Sequence, residues 1–454
     1  MRRWMTRTRL FVGFIALFAL ATSATEVAGA TPLGRRSAPP SNGNPQSPES
    51  WNMQLIGHND LGGYGNGGEG FAEINTADER RVLYIAHESG PKCFSVVDVT
   101  DPAQPVLLSQ TDVPDSQTRC NSLDVSGQLL LVANQTTLGG PNAGLRIYDL
   151  DGDPVNPREI GFFDTSGPYS RGVHYVWFAD GRYAYLSTGM PDFQPRRPEK
   201  DDQIFVIVDL ADPAHPTEVG RWWWPGTREG DPEPLPTPNS PFDNGCRMHN
   251  TDVYPSHPDR AYVGYIDCGI AVLDISDKAH PTALAMEDDS PPTLGYAHTV
   301  LPVGDFSTLV VTHEAVENDC ADAPKQITIW RNAPDMQLEQ ISTIPLPDNA
   351  GELCSRGGRF GAHNVYEPAP DEPAFNSTDI IFGSFFNGGV RAYDISDPAN
   401  PREMGYYIPS VPEASPTGAV QINDVYVDDR GVIFAVDRFV GGLYVLTSPL
   451  TGNE

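Results

Sequence analysis

The sequence predicts an all-β fold, a seven-bladed β-propeller closed by an N-terminal strand that completes the last blade. Three observations carry this. A strand–turn–strand unit recurs, clearest in Tyr393-Asp394-Ile395-Ser396-Asp397-Pro398-Ala399-Asn400-Pro401-Arg402-Glu403-Met404-Gly405-Tyr406. It returns at Val96-Val97-Asp98-Val99-Thr100-Asp101-Pro102, Ile207-Val208-Asp209-Leu210-Ala211-Asp212-Pro213 and Val272-Leu273-Asp274-Ile275-Ser276-Asp277, and more loosely from Ile147 to Pro157. The period, roughly 50–65 residues of β-type sequence, is that of a propeller blade. Finally, the last unit stops after three strands, while Met53-Gln54-Leu55-Ile56-Gly57 resembles outer strands such as Arg158-Glu159-Ile160-Gly161-Phe162. Such a closure removes the free edges of an open sheet.

Taken in order, Arg2, Arg3, Arg7 and Arg9 border an apolar run, Leu10 to Leu20, that is followed by Ala28-Gly29-Ala30. This predicts a secretory signal peptide over 1–30, too short for a membrane span. A leader rich in Pro, Ser, Asn and Gly follows over 31–50, and the propeller occupies 51–450. Blade one runs from about Glu69 to Gln110 and blade two starts near Asn121. Blades three to seven start at Val173, Met248, Ala297, Ala362 and Ile422. Within each unit, β-branched and apolar residues suit a buried strand. The Asp-Pro pair then turns the chain with a self-bonding side chain and a preset φ. Blade five lacks the Asp-Pro turn, and a long loop rich in Pro, Glu and Asp, Pro225 to Asn244, precedes blade four.

The balance of 60 acidic to 30 basic residues argues against nucleic acid or an anionic membrane surface as partner. Six cysteines in an exported chain predict disulfides, and the blade register favours Cys93–Cys120, Cys246–Cys268 and Cys320–Cys354. Metal ligation by cysteine is the alternative. The expected location is periplasmic or secreted, the expected state a monomer without a stable membrane span after signal cleavage.

The histidines carry the functional signal. His215, His257 and His280 fall in turns. His174, His249, His298 and His363 share one register position, the start of the innermost strand, in four consecutive blades, and Asn121 and Asn423 fill it in blades two and seven. In a propeller this position surrounds the mouth of the central channel. His87-Glu88 and His313-Glu314 end the second strands of blades one and five, with Asp267 and Asp437 at the matching ends in blades four and seven, and all four strands return to the same mouth. His58 is expected near the rim. Imidazoles accompanied by carboxylates suit a divalent transition metal such as copper, zinc, iron or manganese. The expected ligands are His174, His249, His298, His363, His87 and His313, with Glu88 and Glu314 as acid/base groups. The alternatives are hydrogen bonding between blades and a metal-free catalytic cluster. Arg119, Arg171, Arg247 and Arg359 lie close to the shared position and either bind an anionic substrate or neutralise neighbouring carboxylates. The sequence has no nucleophile elbow and no dinucleotide fingerprint, and Gly62 to Gly68 lacks the strand–helix setting of a phosphate loop.

The repeat at 207–213 and its copies, together with His58-Asn59-Asp60-Leu61-Gly62-Gly63 and Gly361-Ala362-His363-Asn364, resemble the LVIVD repeat family of exported bacterial β-propellers. A more distant similarity is to selenium-binding protein and methanethiol oxidase, propellers whose central histidines are associated with copper. That similarity implies an oxidase role for His174, His249, His298 and His363, although shared fold alone does not transfer chemistry. The functional expectation is a metal-dependent oxidoreductase acting on a small molecule. A metal-dependent hydrolase or lyase, and a non-catalytic scaffold binding an extracytoplasmic protein or glycan, are the alternatives.

Overall fold

In a computed structural model of the chain, which describes residues 47–237, 242–288, 290, 293–333 and 337–452, each Asp-Pro turn bonds to itself. Asp98 accepts from the Thr100 amide at 2.9 Å and Asp101 from the Ala103 amide at 3.1 Å, and Asp394 and Asp397 repeat the pair at 2.9 and 3.1 Å. The predicted signal peptide and most of the leader lie outside the described residues.

The turns separate strands that assemble into seven four-stranded antiparallel sheets. Blade one consists of Gly67–Asn75, Arg81–His87, Lys92–Asp98 and Val106–Asp112. Blade seven consists of Ile422–Val427, Ile433–Asp437 and Leu443–Thr447, and its fourth strand is Gln54–Asn59 from the other end of the chain. The ring closes as the sequence predicts. The Asn423 amide reaches across from blade seven to the Gly67 and Gly68 carbonyls at 3.1 and 3.0 Å, and the Glu69 amide bonds the Asn121 carbonyl of blade two at 2.6 Å.

Two details go beyond the prediction. Glu49–Trp51, whose first two residues the sequence assigns to the leader, is a strand paired with Arg402–Ile408 of blade six. The N-terminal segment therefore extends blade six before it completes blade seven. The innermost segment of blade six, around His363, is not a regular strand. It makes one bridge, Val365 to Gly383, and holds its place through bonds such as the His363 amide to the Ser384 carbonyl at 3.0 Å.

Neighbouring blades pack backbone on backbone at their outer edges. A Cβ at Gly57 would lie 2.3 Å from the Pro102 carbonyl oxygen in the next blade's turn, and one at Gly161 would lie 2.0 Å from that of Pro213. Only glycine tolerates that approach, which explains its place in the outer strand of the repeat. Apolar side chains of the second and third strands, such as Leu83, Ile85, Val97, Ile207 and Leu273, fill the space between blades. Cys93–Cys120, Cys246–Cys268 and Cys320–Cys354 are disulfide-bonded, which leaves no cysteine free for a metal.

Candidate metal centre at the channel mouth

Because four successive innermost segments start with histidine, the closed ring gathers imidazoles separated by up to 189 positions (363 − 174). Ring centroids of His174 and His249 are 4.4 Å apart, those of His249 and His298 3.8 Å, and those of His298 and His363 4.7 Å. Blade one contributes Glu69 at the same register. Its carboxylate stands 3.4 Å from His363 Nε2, 3.6 Å from His298 Nε2 and 3.9 Å from His174 Nε2. Glu314 flanks the group, 3.7 Å from His363 Nε2 and 3.9 Å from His249 Nε2. Two overlapping sets, Glu69–His249–His298 and His298–Glu314–His363, have ligand atoms within 4.8 Å of one another.

The hydrogen bonds on the far side of each ring decide where the lone pairs point. His363 Nδ1 is 2.5 Å from the Asn423 carbonyl oxygen, which can only accept, so Nδ1 carries the hydrogen. His174 Nδ1 donates to Gln135 Oε1 at 3.0 Å, an oxygen that also accepts from Arg119. His249 Nδ1 donates to Asn250 Oδ1 at 2.9 Å, since the Asn250 amide nitrogen faces Thr299 and Glu367. His298 Nδ1 donates to Thr299 Oγ1 at 2.9 Å, while that hydroxyl donates to Asn364 Oδ1. All four Nε2 atoms are then acceptors; those of His174, His298 and His363 face Glu69, while that of His249 faces His174 and Glu314 and its Nδ1 lies 4.0 Å from Glu69. His174 Nε2 and His249 Nε2 sit 3.0 Å apart, and His298 Nε2, His363 Nε2 and Glu69 Oε2 are buried with no hydrogen-bond partner. Acceptors converging on acceptors repel unless a cation joins them, so the donor set fits a metal ion.

The charge states agree. Burial, then the neighbouring His298, pushes His249 down to about 3, and burial likewise holds His174 well below its ordinary value. Burial works to raise Glu69, yet the imidazoles of His298, His363 and His249 keep it well below the usual carboxylate range. Glu314 is held to about 2 against its burial by His363 and Arg359. His363 alone moves up, since Glu314 and Glu69 outweigh burial.

The other predicted ligands lie outside this group. His87 bonds Asn66 Oδ1 at 2.5 Å and Ser95 Oγ at 2.7 Å, so both ring nitrogens tie strands within blade one. His313 bonds Thr328 Oγ1 at 3.0 Å in the same manner. Glu88 pairs with Arg119 and with Arg438 Nη2 at 2.6 Å, so its carboxylate is engaged by two guanidinium groups. His58 lies in the outermost strand of blade seven, bonded to the Gly441 carbonyl at 2.7 Å. Asp267 and Asp437 accept from backbone amides, Asp267 from Tyr296 at 3.0 Å and Asp437 from Gln421 at 2.6 Å. Glu69 is the candidate ligand that the sequence reading does not include. Its signal was present, because Glu69-Gly70-Phe71 sits at the position that the histidines occupy in other blades, but a search for histidine passes over it.

The family profile for the LVIVD repeat matches residues 201–222, 259–286 and 385–408. The chain carries LVIVD repeats. The matched LVIVD spans cover the third and outer strands of blades three, four and six and the second strand of blade four, and none contains Glu69, Glu314 or any of the four converging histidines. The repeat therefore describes the scaffold and is silent on the centre. No curated protein matches the chain. Among solved structures, the Pseudomonas aeruginosa periplasmic gluconolactonase PpgL aligns at 13% identity over 80% of this chain and 93% of its own, with a TM-score of 0.52. The structure of U3-55K aligns at 10% identity over 87% and 98%, also with a TM-score of 0.52. At such identity these two support the propeller fold alone.

Proposed function

We propose that this LVIVD-repeat protein is an exported metalloenzyme, with a divalent transition metal held by His174, His249, His298, His363 and Glu69 at the mouth of the channel. The observation that carries the reading is the convergence of four Nε2 lone pairs and a carboxylate, each imidazole fixed from behind by a hydrogen bond from Nδ1. Copper, zinc, iron and manganese all accept such nitrogen and oxygen donors, and an imidazole-dominated set favours oxidoreductase chemistry as the first reading. A bound metal would supply Lewis-acid or redox chemistry. The chain's own contribution is to orient the imidazoles, to keep water out on the His298 and His363 side, and to hold Glu314 ionised beside Arg359 (2.9 Å) as a fixed negative charge next to the imidazoles. Export belongs to the same reading, since three disulfides fit an oxidising compartment.

Elemental analysis tests this directly. Protein purified from an oxidising compartment should carry stoichiometric copper, iron, manganese or zinc, with a Tm that falls on chelation. Copper or iron supports the oxidoreductase reading, and zinc alone moves the assignment to hydrolysis or lyase chemistry. A protein that takes up none of the four metals after incubation, with Tm unchanged by chelator, overturns the proposal in favour of the scaffold.

A further inference from the structure

Five arginines crowd the mouth of this acidic protein, and four of them have a carboxylate. Arg119 and Arg438 share Glu88, Arg359 pairs with Glu314, and Arg171 grips Asp202 through two bonds of 2.7 and 2.8 Å. Arg247 differs. Its Nη1 donates to the backbone carbonyls of Asn244 at 2.5 Å and Glu199 at 3.1 Å, and its Nη2 faces the Tyr296 hydroxyl at 3.5 Å. The carbonyls fix the guanidinium in place without neutralising it. Its charge faces the centre two residues from His249.

Tyr296 is itself held in an unusual way. Its φ of 65° is left-handed, a costly conformation for a bulky side chain. Two backbone bonds impose it, the Tyr296 amide to Asp267 at 3.0 Å and the Glu314 amide to the Tyr296 carbonyl at 3.0 Å. The result is a ring 6.0 Å from that of His249, with its hydroxyl toward Arg247. The open side of the centre lies here as well. His174 and His249 are 6% and 3% exposed, whereas His298 and His363 are fully buried.

From the uncompensated guanidinium, the strained tyrosine and the one-sided opening, we infer that Arg247 and Tyr296 form the seat for the carboxylate of a small anionic substrate approaching from the His174–His249 side. A guanidinium offers a carboxylate two parallel donors, and the phenol adds a third. This deepens the metalloenzyme reading and rests on it for the word substrate, but the anion seat itself is made of groups that need no metal.

The test uses fluoroacetate and its neutral counterpart fluoroacetamide as probes, followed by fluorine NMR line broadening on the full folded chain, both metal-free and metal-loaded. Fluoroacetate should bind and fluoroacetamide should not. Arg247→Gln should weaken fluoroacetate by about tenfold or more, as loss of a charge-assisted bidentate contact implies. Tyr296→Phe should weaken it by about two- to fivefold, the share of one neutral hydrogen bond. Arg247→Lys, which keeps charge but loses the fork, should fall between. Unchanged circular dichroism in each variant guards against misfolding. Equal binding of the two probes, no fluoroacetate binding, or undiminished binding in Arg247→Gln overturns the inference. Anion binding by a protein that takes up no metal sinks the enzyme reading and leaves the seat standing. Metal uptake without anion binding does the reverse.

Discussion

The two ends of the central channel use the same kind of residue in opposite charge states. At the mouth, Glu69 and Glu314 are kept ionised by imidazoles and an arginine. Three or four residues further along the same innermost segments, roughly 10 Å deeper, lie Asp124, Asp252 and Glu367, while Asp424 lies one residue beyond Asn423. Here burial dominates. It pushes Asp124 and Asp252 up to about 7 and Asp424 to about 8, and lifts Glu367 well above the carboxylate range with help from Asp252. Between the two ends runs a layer of neutral polar groups. Asn250, Thr299 and Asn364 are linked by bonds of 3.1 and 2.7 Å, and Asn364 continues to Asp424 at 2.9 Å. A cavity of about 50 Å³ lies in this region, lined by Glu69 and by Glu367, Glu372 and Asp424. Burial alone does not make a metal site. Convergent lone pairs with their protons committed elsewhere make a candidate for one, and among the described residues the mouth gathers them.

The sharpest way to break this contrast is at Glu69. Glu69→Gln keeps the shape and removes the charge that the imidazoles share. It should lower metal affinity by more than about 100-fold, because loss of even an outer hydrogen-bond partner costs about 10–100-fold. Chelator competition measures it.

The deep carboxylates yield a pH prediction of defined sign. Their folded values lie above their unfolded ones, so between about pH 4 and pH 8 the native state binds more protons than the unfolded state. The carboxylates' share of the stability should therefore fall as pH rises through that window, by up to about 1.4 kcal/mol per group for each unit of separation, against the opposite contribution of the buried neutral His87, His174, His249 and His313. Thermal unfolding of metal-free protein at pH 5 and pH 8 checks this. Asp252→Asn should flatten the profile and raise Tm at pH 8. An Asp252→Asn variant whose pH profile matches that of the parent protein would show that Asp252 is ionised in the fold.

A third comparison separates the imidazoles. His87→Leu leaves Asn66 and Ser95 without their partner and should cost about 1–3 kcal/mol in chemical denaturation. Metal content should be unchanged. Loss of metal from this variant would return His87 to the ligand set. The smallest effect is expected at His215, exposed in its turn beside Asp212 at 2.9 Å. His215→Ala should move stability by less than about 0.5 kcal/mol and metal content not at all.

Much of this was legible before any coordinates. Asp394 and Asp397 announce their turns because an aspartate bonds its own backbone two residues on, a strictly local effect. Alternating apolar strands define the blades, and counting from the Asp-Pro turns places His174, His249, His298 and His363 at one level. The disulfide pairs follow from the same register. His87 and His313 were placed at the correct end of the correct strands, yet register says nothing about which neighbour a ring nitrogen meets. Ser95 and Thr328, on adjacent strands, took them.

The sequence by itself determined the repeat, the turns, the ring and the level at which the imidazoles sit, because each of these depends on contacts a few residues apart or on a fixed period. Tertiary structure alone decided that Glu69 joins them, that Arg247 has no carboxylate partner among the described residues while its four neighbours are paired, and that burial raises the deep acids. Those outcomes depend on which groups face one another across a closed ring and on how much water remains between them, and chain order encodes neither.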